Sequence, residues 1–451
     1  MTCRPRRSRT LQLARTVFFK KVADGVFVRN VATGEEFLFT PDAAPVFSAL
    51  RRGSAPDRPA LRGRSAFIRL LKTHGLLQSA ETGRRSRAKT VVPPRAPGEG
   101  AVRDIAGRCQ DACLRTNRLW SAGLELTWRC NARCRHCYLD VPEEQTAAGE
   151  LTEAQWLFVV DQLARMGCMN VLVTGGEPTL HPAFLAVCKR IADRGMLCDV
   201  YTNGIAVSDA MFDALRAIPL NSVSFSLYSG AAAFHDEITG VPGSFRRTLS
   251  TLLRFKEADV RVYAKAPMFH GHLEDVFSAM ELGEKTGFPV KPANILVPGH
   301  SGTGRNPMML RPSEYEAFLE RNSTPDPFAG AEQAREVRAN GPVCQAGRTT
   351  LCVSPTGNVT PCNSFPRVCG NVLEMPLAAI WRKSAPLRRL RALRFKDFSP
   401  RCATCADIAF CTICPGASWI ETNGSFAPCS WSCEQTAVRA AFNRNQKTKN
   451  T

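Results

Sequence analysis

No stretch of about 18 consecutive apolar residues occurs in the 451-residue chain, so a conventional transmembrane helix is not expected. The basic start, Met1 to Thr10, is followed by neither a clean apolar core nor a small-residue cleavage site, which argues against a secretory signal. Cysteine is nearly absent from the front. Residues 1–100 hold only Cys3, and the other 18 of the 19 lie from Cys109 onward. An odd number in a long chain without an export signal fits a disulfide scaffold poorly. It fits metal or iron–sulfur ligation in a reducing cytoplasm better. Acidic residues are also sparse in front. Residues 1–100 carry 20 Lys/Arg against 7 Asp/Glu, so +13 of the net +19 lies there and +6 in the remainder. Taken alone, the excess suggests an anionic partner such as nucleic acid or an acidic peptide. No internal repeat is evident. An apolar share of 44% excludes wholesale disorder, and the length suits two to four domains.

Residues 16–80 read as a compact module. Val26–Asn30 and Glu36–Phe39 are short strand candidates, with Thr33-Gly34 as the turn between them. Pro41-Asp42 opens a helix through Leu50, and Ala66–Leu77 is a second helical stretch stopping near Gly75. Strands followed by small helices make a winged-helix-like unit. Residues 82–119 form a linker, with basic Arg84, Arg85, Arg87 and Lys89 and then Pro93-Pro94, Pro97 and Gly98. Over residues 120–300 strand and helix alternate. The strand candidates are Leu124–Trp128, Asn170–Thr174, Cys198–Thr202, Ser222–Tyr228, Val262–Phe269 and Val290–Val297. Thr152 and Gln155 have capping-box spacing before the first intervening helix. Six such units imply an α/β fold with a parallel sheet curved into a partial barrel, its chemistry at the C-terminal strand ends. Residues 301–343 read as a loop-rich bridge. Residues 344–440 are cysteine-dense and poor in regular structure, as expected of a segment folding around metal centres.

Cys130, Cys134 and Cys137 form C-x3-C-x2-C directly after the first strand. Three thiolates hold three irons of a cubane and leave the fourth open to a ligand. The competing reading is a zinc site. Gly175-Gly176-Glu177-Pro178 follows the second strand, where glycines admit close backbone approach and Glu177 can accept from an ammonium group. Asn203 ends the third strand, and Ser224 and Ser226 lie on the fourth. Motif order and spacing over residues 120–300 resemble the radical S-adenosylmethionine superfamily. The resemblance implies reductive cleavage of S-adenosylmethionine to a 5′-deoxyadenosyl radical. Gly175, Gly176, Glu177, Pro178, Asn203, Ser224 and Ser226 would contact that cofactor. His235-Asp236 with Gly240, Gly243, Ser244 and Phe245 resembles a stretch common in peptide-modifying members. It reads equally as a turn plus helix cap.

A second constellation comprises Cys344, Gly357 and Cys362, then Cys402, Cys405, Cys411 and Cys414, then Cys433. It resembles the SPASM extension with two auxiliary [4Fe–4S] clusters, although the last spacing is x2 rather than the usual x3. By that resemblance one cluster takes Cys344, Cys362 and Cys414 with Cys352 as fourth ligand, and the other takes Cys402, Cys405, Cys411 and Cys433, with Cys429 competing for the last place. A zinc ribbon from Cys402/Cys405 and Cys411/Cys414 is the alternative.

Residues 16–80 resemble the PqqD-like domain that captures a precursor's leader peptide by β-augmentation, and a +13 front suits an acidic leader. A basic winged helix on nucleic acid is the rival reading. Together the resemblances imply a cytoplasmic peptide maturase that forms a thioether, carbon–carbon or related crosslink. Its partners would be a precursor peptide and a reductant such as flavodoxin or ferredoxin, with neither membrane nor nucleic acid. Alternatives are peptide epimerisation, sulfatase maturation, tetrapyrrole modification, or a leader-binding chaperone with structural clusters. Asn363 stands where sulfatase-maturing members carry an Asp base, which argues against that chemistry.

Overall fold

The computed structural model describes residues 11–22, 25–53, 59–61, 64–79, 105–140, 149–300, 302, 304–322 and 335–449. The chain divides into two compact units, one up to Thr116 and one from Asn117.

In the first unit β1 (Leu11–Leu13) pairs with β5 (Leu77–Ser79), and β2 (Val17–Val22), β3 (Gly25–Asn30) and β4 (Glu36–Phe39) form an antiparallel sheet in that order. The β3–β4 hairpin turns at Gly34, whose φ of 79° is left-handed and suits glycine. Helices α1 (Ala44–Arg51) and α2 (Ser65–Thr73) join Val26 and Val28 of β3 in one core through Val46, Phe47 and Leu71, with Phe67 edge-on to both Phe39 and Phe47. Two features differ from the sequence reading. The strand β2 escapes it because Lys20 and Lys21 interrupt an apolar run that is buried only at its start. A helix, α3 (Ile105–Thr116), occupies part of the stretch read as linker, and residues 82–104 of that stretch lie outside the described residues.

In the second unit six parallel strands stand side by side in chain order: β6 (Ser121–Glu125), β7 (Asn170–Thr174), β8 (Leu197–Thr202), β9 (Ser222–Ser226), β10 (Val262–Pro267) and β11 (Val290–Ala293). Between them run α4 (Glu153–Arg165), α5 (Phe184–Asp193), α6 (Asp209–Ala217), α7 (Ala232–Thr239), α8 (Ser244–Glu257) and α9 (Leu273–Thr286). This is the partial (β/α)6 barrel. Thr152 caps α4 in a capping box with Gln155. Alternation decides which face is which. Leu124, Val200, Phe225 and Ala264 join the apolar core, leaving Glu125, Tyr201, Ser224, Ser226 and Lys265 on the opposite face.

The strands are shorter than the apolar runs suggested. Leu126 N still donates to Thr174 O (2.9 Å), beyond which the chain leaves the ladder to start the cysteine loop, and Phe269 bridges to Met309 rather than to β9. After the barrel come α10 (Pro312–Arg321) and α11 (Arg335–Asn340). The stretch from Cys344 carries more regular structure than expected. Strand β12 (Thr350–Val353) pairs parallel to β6, and β13 (Asn358–Thr360) and β14 (Gly370–Asn371) extend the sheet to nine strands. Helices α12 (Leu377–Lys383), α13 (Ala385–Ala392), α14 (Pro400–Ala403), α15 (Pro415–Glu421) and α16 (Ser430–Lys449) complete it. No helix among the described residues is long and apolar enough to cross a membrane.

Candidate active site and cluster-binding thiols

The first cysteine loop follows β6 and is held from two sides by backbone. From one side Arg133 N donates to Thr239 O (2.8 Å) and Arg135 N to Ile238 O (3.1 Å), both at the end of α7. From the other side Gly176 N donates to Thr127 O (2.7 Å) and Glu177 N to Arg129 O (2.8 Å). The two glycines are required by this approach. A Cβ on Gly175, at φ 146°, would lie 2.3 Å from Thr127 O, and one on Gly176 2.4 Å from Arg129 O. They bring backbone to the cysteine loop itself, where sequence reasoning expected approach to a ligand.

Glu177 is fully buried. Its carboxylate accepts from Thr179 N (3.2 Å) and Oγ1 (2.7 Å), Thr202 Oγ1 (2.7 Å) and Asn203 N (2.7 Å). Burial raises its pKa against those hydrogen bonds. The carboxylate thus joins the loops after β7 and β8. Asn203 Nδ2 donates to Asn131 Oδ1 at 2.6 Å and lies 3.8 Å from Cys130 Sγ. Cys134 Sγ lies 3.7 Å from the Tyr228 hydroxyl, to which Ser226 also hydrogen-bonds. Ser224 is buried one row below. Asp236 is occupied as a cap. It accepts from Gly243 N (2.6 Å), Ser244 Oγ (2.8 Å) and Phe245 N (2.8 Å), which is the turn-and-cap arrangement.

The thiols fall into three groups. Cys134 feels the charge of both Cys130 and Cys137, and burial pushes it up to about 12. Cys362 feels Cys414 and Cys344, and Cys352 feels Glu125 and then Cys362. Cys433 feels Cys411, Cys402 and Cys405. Cys429 is fully buried between Ser418 Oγ (3.3 Å) and Ser432 Oγ (2.9 Å), and it feels Glu421 and Cys414. Cys352 sits in β12 opposite Gly123, where any Cβ would come within 3.2 Å of its sulfur.

These surroundings fit anionic iron–sulfur groups. Buried thiols ionise only against a compensating cation, which metal supplies. Arginines attend both later sets, Arg348 buried and Arg338 half-buried. Arg348 is pulled down to about 10 by burial and by Arg394, and Cys344 supports its charge. Arg338 donates to Cys411 O at 2.6 Å. A four-thiolate cubane of net charge about −2 would answer both.

Residues 124–282 match the family model described as the Radical SAM superfamily, and residues 344–406 match SPASM, an iron–sulfur cluster-binding domain. The chain carries a radical SAM domain followed by a SPASM domain. It is a radical SAM enzyme, and its cofactors are S-adenosylmethionine and [4Fe–4S] clusters. An AdoMet-dependent heme synthase of Methanosarcina barkeri is 26% identical, over 66% of this chain and 91% of that protein. A PqqA peptide cyclase of Methylorubrum extorquens is 26% identical, over 58% of this chain and 71% of that one. The fold of SuiB from Streptococcus suis, solved bound to precursor peptide SuiA, aligns with TM-score 0.57 at 15% identity, covering 94% of this chain and 99% of that chain.

Sequence reasoning missed several polar residues. Glu125 is buried, accepts from Trp128 Nε1 (3.3 Å) and Tyr138 OH (3.2 Å), and is lifted by burial to about 7. Asn363 Nδ2 in turn donates to Tyr138 OH (3.3 Å), so the segment after Cys362 touches the segment after Cys137. Lys265 and Lys291 stand opposite each other on β10 and β11, each over a tyrosine ring. A charged residue at a non-core position of a barrel strand was the available signal.

Proposed function

We propose that this radical SAM enzyme is a maturase of a ribosomally made precursor peptide. The observation that carries this reading is the reach of the SuiB likeness. It extends over 94% of this chain and 99% of that one, whereas the likeness to anSMEcpe, solved with bound AdoMet and Cp18Cys peptide, covers 73% of this chain. The PqqA peptide cyclase relative adds weight to a peptide substrate. In this reading the first unit is a PqqD-like leader-recognition domain. Strand β4 is an edge strand of its described sheet, and an extended acidic leader added there gains main-chain hydrogen bonds.

Bound S-adenosylmethionine and reduced iron–sulfur supply the one-electron chemistry that yields the 5′-deoxyadenosyl radical. Cys130, Cys134 and Cys137 hold the first cluster. Backbone groups of Gly175 to Pro178 hold the cofactor's amino group, because the Glu177 carboxylate is already engaged by four internal donors. Asn203, Ser224 and Ser226 contact its remaining polar groups. Cys344, Cys352, Cys362 and Cys414, and separately Cys402, Cys405, Cys411 and Cys433, hold two auxiliary clusters. Asn363 takes up no proton at neutral pH, so a base in the Asp position of sulfatase maturases is missing.

The test is anaerobic incubation with S-adenosylmethionine, dithionite and the peptide encoded nearest the gene. Release of 5′-deoxyadenosine with a mass loss of about two hydrogens in the peptide is expected for a crosslink. Release of 5′-deoxyadenosine with an unaltered peptide, together with a mass change in an added tetrapyrrole, would favour the second reading, tetrapyrrole modification, which the heme synthase match supports.

A further inference from the structure

The second unit has its own concentration of charge. Residues 382–401 contain eight Lys/Arg and one Asp, while residues 101–451 as a whole are only +6. The rest of that stretch is therefore slightly acidic, and the body's positive excess is gathered in one run of 20 residues. Arg391 and Arg394 turn inward onto backbone carbonyls. Arg382, Lys383, Arg388, Arg389, Lys396 and Arg401 are exposed, and none forms an ion pair with a described carboxylate.

This surface adjoins the third thiol set. Arg401 precedes Cys402 and its charge is felt by Cys433. Arg389 lies over Phe426 at 5.4 Å, and Phe426 packs on Phe398, at the foot of α14, which carries Cys402. Cys433 is itself exposed, so this thiol set reaches solvent. Unpaired charge of one sign around an exposed redox site is costly as self-repulsion and useful as a steering field.

We propose that Arg388, Arg389, Lys396 and Arg401 form the docking surface for an acidic one-electron carrier protein of the ferredoxin type, seated against the Cys402/Cys405/Cys411/Cys433 site. The inference rests on the radical SAM assignment and not on the peptide substrate.

The test measures binding of the reconstituted holoenzyme to an acidic [2Fe–2S] ferredoxin by calorimetry, at low and at moderate salt. Arg388→Glu/Arg389→Glu and, separately, Lys396→Glu/Arg401→Glu should each weaken binding at least about tenfold at low salt. The control Arg246→Glu/Arg247→Glu on α8 should change affinity less than about twofold. Iron content and dithionite-driven cofactor cleavage should be unchanged in the Arg388/Arg389 variant. Wild-type affinity from both surface variants, or an equal loss from the control, would overturn the proposal. So would selective loss of binding to an acidic peptide while ferredoxin binding persists, because the surface would then serve a peptide.

Discussion

The two ends of the second unit solve one problem differently. The first cysteine loop is local: Cys130, Cys134 and Cys137 sit within one turn of chain, and backbone bonds from Thr239 and Gly176 fix their loop. The later thiols are assembled over long range. Cys344, Cys362 and Cys414 come from before β12, after β13 and the start of α15. Cys433, on α16, meets a set that begins at α14. A local site can be shaped by glycine geometry before metal arrives, whereas a dispersed one gains most of its order from the metal it binds. The barrel loop should therefore fail by loss of chemistry, and the later region by loss of structure.

Cys134→Ala should break the comparison most sharply. Cofactor cleavage should fall below detection by chromatography of 5′-deoxyadenosine, while iron falls only from about 12 to about 8 atoms per chain. Gly176→Ala should come next. The added Cβ meets the Arg129 carbonyl at 2.4 Å, so denaturant titration should show about 2–3 kcal/mol of destabilisation together with loss of cleavage. A smaller contrast separates neighbours on α16 and just before it. Cys433→Ala should lose about 4 iron atoms, whereas Cys429→Ala should keep its iron and lose about 1 kcal/mol from two serine contacts. Equal iron in the two variants would undo the assignment of Cys433.

The smallest effect is on pH. Burial depresses His235 to about 4 from its ordinary 6.5. The unfolded chain therefore binds the extra proton between those values. The stability due to the neutral ring is complete above about 6.5 and declines as pH falls toward about 4, by about 1 kcal/mol per unit. His235→Asn should flatten that limb of the stability curve.

Much of this was readable from residues because it is local. The cysteine spacing, the Gly175–Pro178 turn and the Thr152 capping box each depend on a few neighbouring positions. The grouping of Cys402, Cys405 and Cys411 with Cys433 rather than Cys429 was open in sequence, where both cysteines lie in one short stretch. In the fold Cys429 is buried between two serines and Cys433 is exposed, so the choice between them falls to the iron counts of the two variants. Glu125, Tyr138 and Asn363 were unreadable as a chain because they lie 13 and 225 positions apart. Glu177 was legible as an acceptor, but its internal donors Thr179, Thr202 and Asn203 were not, because two of them come from the end of the next strand.

The pairing of β12 with β6 alters what a domain boundary means in this protein. Thr350 to Val353 complete a hydrogen-bond ladder that Ser121 to Leu124 would otherwise leave open on the side away from β7. Cutting the chain before Cys344 would expose an unpaired strand edge, the usual seed of edge-to-edge association. The barrel and the cysteine-rich extension are thus a single folding unit, and neither should be obtainable as a well-behaved fragment without the other.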